Sequence, residues 1–335
     1  MSLIFRQLFD SASCTYSYLL ADAESREALL IDPVYEQYTR DEALIRELDL
    51  HLRFSVDTHC HADHVTAAYL LQQHLGCQIA ASASSGIDGL DLALHHGDQL
   101  PFGKLQLEVR ATPGHTNGCI TLVLHSHALL FTGDCLLIRG CGRTDFQQGA
   151  AATLFRSITE QIFTLPDHFL IYPAHDYQGR AQSSVGEEKR FNPRIGGEAN
   201  QADFVGYMEN MRLPHPNKYD QAVPANLRSG RPLDGEMPHI PDWAPLSISY
   251  SGVLEISPQW VAHHRDELTI VDVRNAVELT EEPAPVTGAL HIPLNELRER
   301  IDEVPKQRPV VTLCRSGRRS AMAFTILQQQ GWPQV

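Results

Sequence analysis

The chain has 335 residues, of which 43% are hydrophobic and 20% charged, and its formal net charge is −14. This length predicts about two domains, and the hydrophobic fraction is ordinary for a globular protein. The negative charge argues against a nucleic-acid partner, because binding to phosphates needs a dense cationic surface.

The first part of the chain alternates short apolar runs with helical patterns. We predict strands at Ala28–Ile31, Phe54–Val56, Leu105–Ala111, Ile120–Leu124, Ala128–Thr132 and Phe169–Tyr172. We predict helices at Asp41–Leu48 and Val65–Leu75. Strands and helices mixed in this order are typical of a layered α/β architecture.

Between Ser229 and Gly252 the composition changes, because prolines cluster there and helical or strand periodicity is weak. We interpret residues 229–253 as a linker, with a long surface loop of a single domain as the alternative. The linker is favoured because a second series of elements follows at once. We predict strands at Leu268–Val273 and Val310–Leu313 and helices at Leu294–Ile301 and Arg319–Gln329.

A short run after the predicted strand Phe54–Val56 holds four potential metal ligands: His59, His61, Asp63 and His64. In an extended loop, residues i and i+2 point the same way, so the first two histidines can converge. Three further candidates follow later predicted strands: His115, Asp134 and His175. A lone histidine is more often structural than a ligand, but this joint pattern indicates a metal site at one edge of a sheet.

The HxHxDH motif and the later ligands resemble the metallo-β-lactamase superfamily over about residues 1–228. The resemblance implies an αββα sandwich with the metal at the edge of its sheets. In two-metal members, one ion is held by the residues matching His59, His61 and His115. The other ion is held by those matching Asp63, His64 and His175, with the match of Asp134 as a bridge.

Two branches of this superfamily compete for the function. One is the glyoxalase II type, a thioester hydrolase with two metals, and the other is the persulfide dioxygenase type. The segments Gly140–Gln147, Tyr172–Tyr177 and Ala222–Asn226 resemble the dioxygenase branch. The chain also lacks a recognisable helical glutathione-binding module of the glyoxalase II kind.

In the dioxygenase branch, one Fe(II) per chain is held by the residues matching His59, His115 and Asp134. Two imidazoles and one carboxylate leave coordination positions open, which suits oxygen chemistry on iron, whereas zinc has no redox chemistry. The remaining candidates are then expected to orient and tune these ligands from outside: His61, Asp63, His64 and His175. The residues alone leave a two-metal site open, because every group for it is present.

The resemblance implies glutathione persulfide and O2 as substrates, sulfite and glutathione as products, and no nucleotide cofactor. Glutathione carries carboxylates, so cationic or hydroxyl side chains are expected near the iron. We expect contacts from Arg143 first and from Tyr177 and Arg139 next. A surface or structural role is the alternative for each, since many arginines only pair with local carboxylates.

The apolar runs are strand-sized and much shorter than the roughly 20 residues of a membrane span. The first residues lack a basic segment followed by a long apolar core, so we expect no signal peptide and a cytoplasmic protein. The chain has seven cysteines, irregularly spaced and without a CxxC pair, which favours a reducing compartment over a disulfide framework. Most of these thiols are expected to be inert core residues, with Cys314 as the exception.

Cys314 follows an apolar strand and enters a short loop that leads into a predicted helix. Backbone N–H groups and the helix N-terminus create positive potential at its sulfur, and Arg315, Arg318 and Arg319 add formal charge. Together they favour the thiolate, which is the nucleophilic form. The alternative is a structural cysteine before an ordinary basic helix.

This loop resembles the rhodanese loop CRxGxR, and Ile270–Arg274 and Gly288–Pro293 match other landmarks of that family, over residues 254–335. The resemblance implies an α/β domain with a central parallel sheet, in which Cys314 carries sulfur from thiosulfate to a thiol such as glutathione. A rhodanese domain normally continues past the Gly331-Trp332 region with a strand and a helix. We therefore expect either a shortened domain or further residues after Val335.

The sequence predicts a bifunctional enzyme of sulfur metabolism, a persulfide dioxygenase joined to a thiosulfate sulfurtransferase. Both activities would share glutathione persulfide, and the direction of sulfur transfer would depend on concentrations. The alternatives are a two-metal thioesterase of the glyoxalase II kind and a persulfide carrier that serves a protein partner. The expected partners are small molecules and neither nucleic acid nor membrane, and a homo-oligomer is compatible with the sequence.

Overall fold

The computed structural model describes residues 2–211, 218–231, 243–280 and 284–335. The chain divides into two compact units, residues 1–236 and 237–335. The predicted boundaries of the linker, 229 and 253, stay a prediction, because three of its prolines lie outside the described residues: Pro232, Pro238 and Pro241.

The first unit contains two six-stranded sheets. The first sheet consists of β1 (Leu3–Asp10), β2 (Thr15–Asp22), β3 (Glu27–Ile31), β4 (His51–Asp57), β5 (Gln78–Ser82) and β6 (Leu92–Leu94), in that order. The second is built from β7 (Gln99–Phe102), β8 (Leu105–Ala111), β9 (Ile120–Leu124), β10 (Leu129–Gly133), β13 (Leu170–Pro173) and β14 (Ser183–Ser184). Its strand order is β14-β13-β10-β9-β8-β7, and a hairpin of β11 (Leu136–Leu137) and β12 (Gly140–Cys141) follows β10.

Six helices accompany these sheets in the described part of the first unit: α1 (Tyr38–Glu47), α2 (Ala68–Leu75), α3 (Ala151–Ser157), α4 (Val185–Phe191), α5 (Gln201–Asn210) and α6 (Tyr219–Asn226). The two sheets pack face to face through one apolar cluster that includes Leu29 and Leu107. Leu154 and Phe204 from α3 and α5 pack against the outer face of the second sheet. Helix α2 contacts β4 and β5 of the first sheet. The predicted αββα sandwich is therefore confirmed.

The direction of the strands decides where the candidate ligands meet. Strands β8 and β10 are both antiparallel to β9, and β10 is parallel to β13, so β8, β10 and β13 run the same way. The carboxyl ends of these three strands therefore lie at one edge of the sheet. His115, Asp134 and His175 follow those ends directly, and the HxHxDH loop follows β4 of the facing sheet.

The second unit is a smaller α/β structure. It contains the hairpin of β15 (Ser247–Ile248) and β16 (Leu254–Glu255), the strands β17 (Thr269–Asp272), β18 (Leu290–His291) and β19 (Val310–Leu313), and the helices α7 (Pro258–His264) and α8 (Arg318–Gln329). The order β18-β17-β19 is parallel throughout, which confirms the predicted central parallel sheet. Its core includes Val271, Leu327 and Trp332.

Three predicted helices differ from the structure, and one of them, α1, begins at Tyr38 and not at Asp41. Residues 294–300 form successive turns in place of the predicted helix Leu294–Ile301, with a short 3-10 helix at Ile301–Glu303. The spacing of the apolar residues in this stretch fits turns closed by i to i+3 hydrogen bonds as well as it fits an α-helix. Helix α2 begins at Ala68 and not at Val65, because Thr66 pairs with Val34 of the adjoining loop and so takes the chain away from helical geometry. No helix among the described residues has both the length and the apolarity to cross a bilayer.

Candidate functional site

Hydrogen bonds to aspartate side chains fix both ends of the loop that carries the HxHxDH motif. Thr58 donates its backbone N–H to Oδ1 of Asp32 at 2.6 Å and its hydroxyl to Oδ2 at 2.8 Å. Asp32 lies directly after β3, where the sequence analysis treated it only as the end of a strand. At the other end of the loop, the Thr66 hydroxyl donates to Oδ1 of Asp57 at 2.9 Å. Side chains thus fix a loop that has no regular secondary structure.

His59, His115 and Asp134 come together at the sheet edge. Each offers one ligand atom, and these atoms all lie within 4.8 Å of one another. Nε2 of His115 is 3.6 Å from Oδ2 of Asp134. The three residues follow β4, β8 and β10, so the fold brings together groups that are far apart in the sequence.

Each member of this trio has one atom held by the protein. Nδ1 of His59 lies 3.1 Å from the Thr58 hydroxyl, and Nδ1 of His115 lies 2.7 Å from the carbonyl oxygen of Arg143. Oδ1 of Asp134 lies 2.6 Å from Nδ1 of His175. Three atoms can then bind a cation: Nε2 of His59, Nε2 of His115 and Oδ2 of Asp134. Metal-binding histidines and carboxylates are commonly oriented in this way. The donor set therefore fits a divalent metal.

A close backbone approach explains one glycine near these ligands. A Cβ atom on Gly142 would lie 2.3 Å from the carbonyl oxygen of Asp134 and 2.9 Å from the ring of His115. Any larger residue would push the β12 segment away from two candidate ligands. Gly142 belongs to the segment that resembles the dioxygenase branch, and the structure gives it a steric role there.

A second group of ligand atoms within 4.8 Å of one another comes from His61, Asp63 and His64. Nδ1 of His61 and Nε2 of His64 are buried and have no hydrogen-bond partner among the described residues. Nε2 of His61 instead lies 3.1 Å from Oδ1 of Asp32. His175 belongs to none of the ligand groups found among the described residues, since its ring lies between two carboxylates.

The charges of the site follow from burial and from these pairs. Burial lowers the pKa of His59 well below its ordinary value, which keeps its ring neutral and able to bind a metal. Burial alone would also lower the pKa of His175, but the carboxylates of Asp134 and Asp63 raise it well above that value. Asp63 and Asp134 both have a lowered pKa despite their burial, because neighbouring histidines favour the carboxylate form.

The three residues expected to contact substrate lie in different surroundings. The Arg143 guanidinium pairs with Asp145 at 2.6 and 2.7 Å and lies over the ring of Phe146 at 4.2 Å, while its carbonyl holds His115. Tyr177 is 71% exposed and stacks parallel to His175, with ring centroids 6.1 Å apart.

Arg139 is engaged away from the candidate ligands. Its guanidinium forms an ion pair with the buried carboxylate of Glu188, and its backbone N–H donates to the same side chain at 2.9 Å. The guanidinium also reaches Glu187 at 3.3 Å. These pairs are the kind of local partnership that was the alternative to substrate contact for this residue.

Cys314 lies where the second motif predicts, between β19 and α8. Its Sγ accepts from the backbone N–H of Ser320 at 3.4 Å and lies 3.6 Å from the Ser320 hydroxyl. Partial burial would raise the pKa of Cys314, but hydrogen bonds from Ser320 and from the backbone N–H groups of Ser316 and Arg319 lower it below the ordinary value. Hydrogen bonds that favour the charged form make the sulfur more nucleophilic at neutral pH.

The arginines of the thiol loop are not equivalent. Arg319 pairs with both carboxylate oxygens of Glu278 at 2.5 and 2.7 Å. Arg318 is the first residue of α8, and Gly317 before it has a φ of 87°, a conformation that favours glycine. Sequence reasoning missed Glu278, which follows Arg274 by one short turn and gave no signal of its own.

A cavity of about 550 Å³ opens beside the thiol in the second unit. Cys314, Arg315 and Ser320 line it together with a largely apolar wall that includes Leu254 and Phe324. The lining is mostly apolar, with polar groups near the sulfur, as expected of a binding site for a small molecule.

Most of the other cysteines fit the expectation of inert thiols. Cys60, Cys77 and Cys119 are buried, and burial raises the pKa of each to about 12. Burial also raises the pKa of Cys135 and Cys141. A thiol that stays protonated at neutral pH is a poor nucleophile, so Cys314 is set apart from these five.

Two family models match the chain, one in each unit. The metallo-beta-lactamase superfamily model matches residues 15–175, and the rhodanese-like domain model matches residues 257–335. The human mitochondrial persulfide dioxygenase ETHE1 is 55% identical over 229 residues, which is 68% of this chain and 89% of that protein.

Solved structures agree with these matches. The crystal structure of ETHE1 from Myxococcus xanthus is 49% identical, covers 68% of this chain and 99% of its own, and superposes with a TM-score of 0.66. A metallo-beta-lactamase from Staphylococcus aureus covers 100% of this chain and 97% of its own with a TM-score of 0.64. Its identity of 22% makes it evidence for the fold alone.

Proposed function

Because this chain belongs to the ETHE1 persulfide dioxygenase family and carries a rhodanese-like domain, we propose that it oxidises glutathione persulfide at one Fe(II) and transfers sulfur at Cys314. The first reaction consumes the persulfide, O2 and water and releases sulfite and glutathione. The observation that carries this proposal is the trio His59, His115 and Asp134, in which each residue has one atom fixed and another free.

Two imidazoles and one carboxylate are the donor set of non-haem iron sites that activate oxygen. Bound there, Fe(II) would supply the electrons that activate O2, a chemistry that zinc lacks. The protein's own part is orientation. The Thr58 hydroxyl and the Arg143 carbonyl hold the two rings, and His175 holds the carboxylate of Asp134.

Glutathione persulfide needs partners for its carboxylates, and we assign them first to Arg143 and Tyr177. Both lie next to residues of the metal site, since Arg143 binds His115 through its carbonyl and Tyr177 stacks on His175. A planar guanidinium can bind a carboxylate through two hydrogen bonds. For either arginine an ion pair would have to open before the guanidinium could bind substrate in this way, with Asp145 for Arg143 and with Glu188 for Arg139, and Arg139 stays a prediction.

At the second site, the Cys314 thiolate attacks the outer sulfur of thiosulfate. The S–S bond breaks, its electron pair leaves with sulfite, and Cys314 becomes a persulfide. A glutathione thiolate then takes the outer sulfur and restores the Cys314 thiolate. Arg315, Arg318 and Arg319 supply positive charge for the anionic substrate, and Glu278 holds the Arg319 guanidinium in place.

One observation favours the two-metal thioesterase as a second candidate. Nδ1 of His61 and Nε2 of His64 are buried without partners in the described chain, and both histidines share a ligand group with Asp63. Buried ring nitrogens left without a hydrogen bond are costly unless they bind something. Metal ions bound at these two nitrogens, as a two-metal site requires, would satisfy them.

Metal analysis of anaerobically purified protein, combined with O2 uptake, separates the two candidates. One iron per chain and rapid O2 consumption on adding glutathione persulfide are expected. Two zinc ions per chain, with hydrolysis of S-acyl glutathione and no O2 uptake, would overturn the proposal. Cytoplasmic location, a homo-oligomer and a carrier role toward a protein partner stay predictions for cell fractionation, light scattering and binding assays.

A further inference from the structure

Asn226 contacts the metal-binding loop from a distant part of the chain. It is the last residue of α6 and is 1% exposed. Its Nδ2 donates to the carbonyl oxygens of His61 at 2.9 Å and His64 at 2.8 Å, and its Oδ1 accepts from the backbone N–H of Thr66 at 2.8 Å. One amide side chain thus uses both of its donors and its acceptor on three backbone groups of a single loop.

These contacts matter because the loop cannot satisfy its own backbone. Residues 58–65 contain bends and no helix or strand. No backbone N–H among the described residues donates to the carbonyls of His61 and His64, so Asn226 is what pairs them. A buried carbonyl without a partner is costly, and the loop would have to move to find another.

The segment around Asn226 is itself fixed, so its amide is presented rigidly. The carbonyl of Leu227 accepts from the backbone N–H of Asp88 at 2.8 Å, and the Ser229 hydroxyl donates to the Asp88 carbonyl at 2.7 Å. A Cβ atom on Gly230 would lie 2.2 Å from the carbonyl oxygen of Thr66, so only glycine allows this approach. The segment matched by the superfamily model ends at residue 175, well before Asn226 and the residues that hold it.

We propose that Asn226 is a positioning residue for the metal centre, which fixes the path of the HxHxDH loop and so the placement of His59 relative to His115 and Asp134. The inference rests on the proposed function, because it takes these three residues as the metal ligands. It does not depend on the metal being iron, since loop position affects any divalent ion. Supporting residues of this kind typically change metal affinity about 10- to 100-fold.

The test uses the full chain with Asn226→Asp and Asn226→Ala, and Co(II) as the probe. Asn226→Asp keeps the size but places a carboxylate oxygen against two carbonyl oxygens. Co(II) affinity by chelator competition is expected to fall about 10- to 100-fold in both variants. The visible absorption of bound Co(II) is expected to change as well, because it reports ligand geometry, which a purely structural role would leave alone.

Asp22→Ala is the matched control. Asp22 is also a buried polar side chain that binds loop backbone, since its carboxylate accepts from the backbone N–H groups of Lys104 at 2.9 Å and Glu24 at 3.2 Å, and it makes no contact with the HxHxDH loop among the described residues. We expect this variant to lose thermal stability without a change in the Co(II) spectrum.

Unchanged Co(II) affinity and spectrum in the folded Asn226 variants would overturn the inference, and so would the same spectral change in Asp22→Ala. If Asn226→Asp and Asn226→Ala do not fold, Asn226→Ser, which keeps one hydroxyl donor, decides by the same measurements. Iron counting distinguishes the two proposals. Wild-type protein that binds Co(II) but never iron would sink the dioxygenase assignment and leave the role of Asn226 standing.

Discussion

Nδ1 of His175 lies 2.6 Å from Oδ1 of Asp134, and Nε2 of the same ring lies 2.9 Å from Oδ2 of Asp63. One imidazole therefore holds a carboxylate on each side. The hydroxyl of Thr15 adds a contact at 3.1 Å to Nε2. His175 is thereby placed to orient Asp134 from outside the group that Asp134 forms with His59 and His115.

Replacing His175 tests this placement. His175→Ala removes the partner of Oδ1 and frees the Asp134 carboxylate to rotate, so iron affinity is expected to fall about 10- to 100-fold. Chelator competition and iron content per chain measure the effect. His95→Ala, which changes an exposed histidine paired with Asp98, is the control. Iron binding as tight as in wild type would show that His175 does not position the carboxylate.

Asp134→Ala is expected to have a larger effect, because it removes an anionic ligand and leaves only two imidazoles. Iron per chain after anaerobic purification should drop sharply, and O2 uptake with glutathione persulfide should disappear with it. Elemental analysis and an oxygen electrode make both measurements. A variant with full iron content and full turnover would contradict the assignment of Asp134.

Cys314→Ser separates the two activities. Serine lacks a thiolate, so sulfur transfer from thiosulfate to glutathione should be lost. O2 consumption with added glutathione persulfide should stay near the wild-type rate, because Cys314 and the candidate iron ligands belong to different compact units. Loss of O2 consumption at normal iron content would show that the two reactions are not independent.

The reactivity of Cys314 is expected to depend on pH in a defined direction. Its pKa is lowered, so the thiolate persists below the ordinary cysteine pKa of about 8.5 and is lost as the pH falls through the lowered value. Ser320→Ala removes one hydrogen-bonding group, so its profile should shift to higher pH. The rate of alkylation by iodoacetamide at a series of pH values measures both curves. Superimposable curves would show that Ser320 does not stabilise the thiolate.

Glu278→Gln is expected to shift the pH profile of Cys314 alkylation in the opposite direction, to lower pH. The carboxylate of Glu278 opposes the charge of Arg319, and its hydrogen bonds raise the pKa of Arg319, to which the nearby Cys314 adds. The glutamine side chain of this variant is neutral, so Arg319 would stabilise the thiolate more strongly and the alkylation profile should shift to lower pH. A shift to higher pH would mean that Glu278 acts mainly by holding Arg319 in place.

Both chemical motifs could be predicted from the sequence because each is local. The HxHxDH run and the loop from Cys314 to Arg319 place their reactive groups within a few residues of one another, directly after apolar strands. The αββα sandwich and the parallel sheet follow from the same apolar runs together with the family resemblance.

The supporting contacts could not be predicted, because they join distant segments through ordinary residues. Asn226 reaches the carbonyl of His61 across 165 positions, and Glu278 reaches Arg319 across 41. Asn226 ends a segment that resembles the dioxygenase branch, but that resemblance does not indicate its hydrogen-bond partners, and Glu278 stands in no pattern of its own. Arg139 shows the same difficulty, because its cationic charge is visible in the sequence and its pairing with Glu188 is not.

The proposed role of Asn226 has a consequence for when the protein binds its metal during synthesis. Every candidate ligand, including His175, is translated before α6. A ribosome-bound chain that already contains all of these ligands still lacks the Asn226 amide, which binds the backbone of the HxHxDH loop. We therefore expect a nascent chain stalled before residue 226 to bind the ion about 10- to 100-fold more weakly than the finished protein.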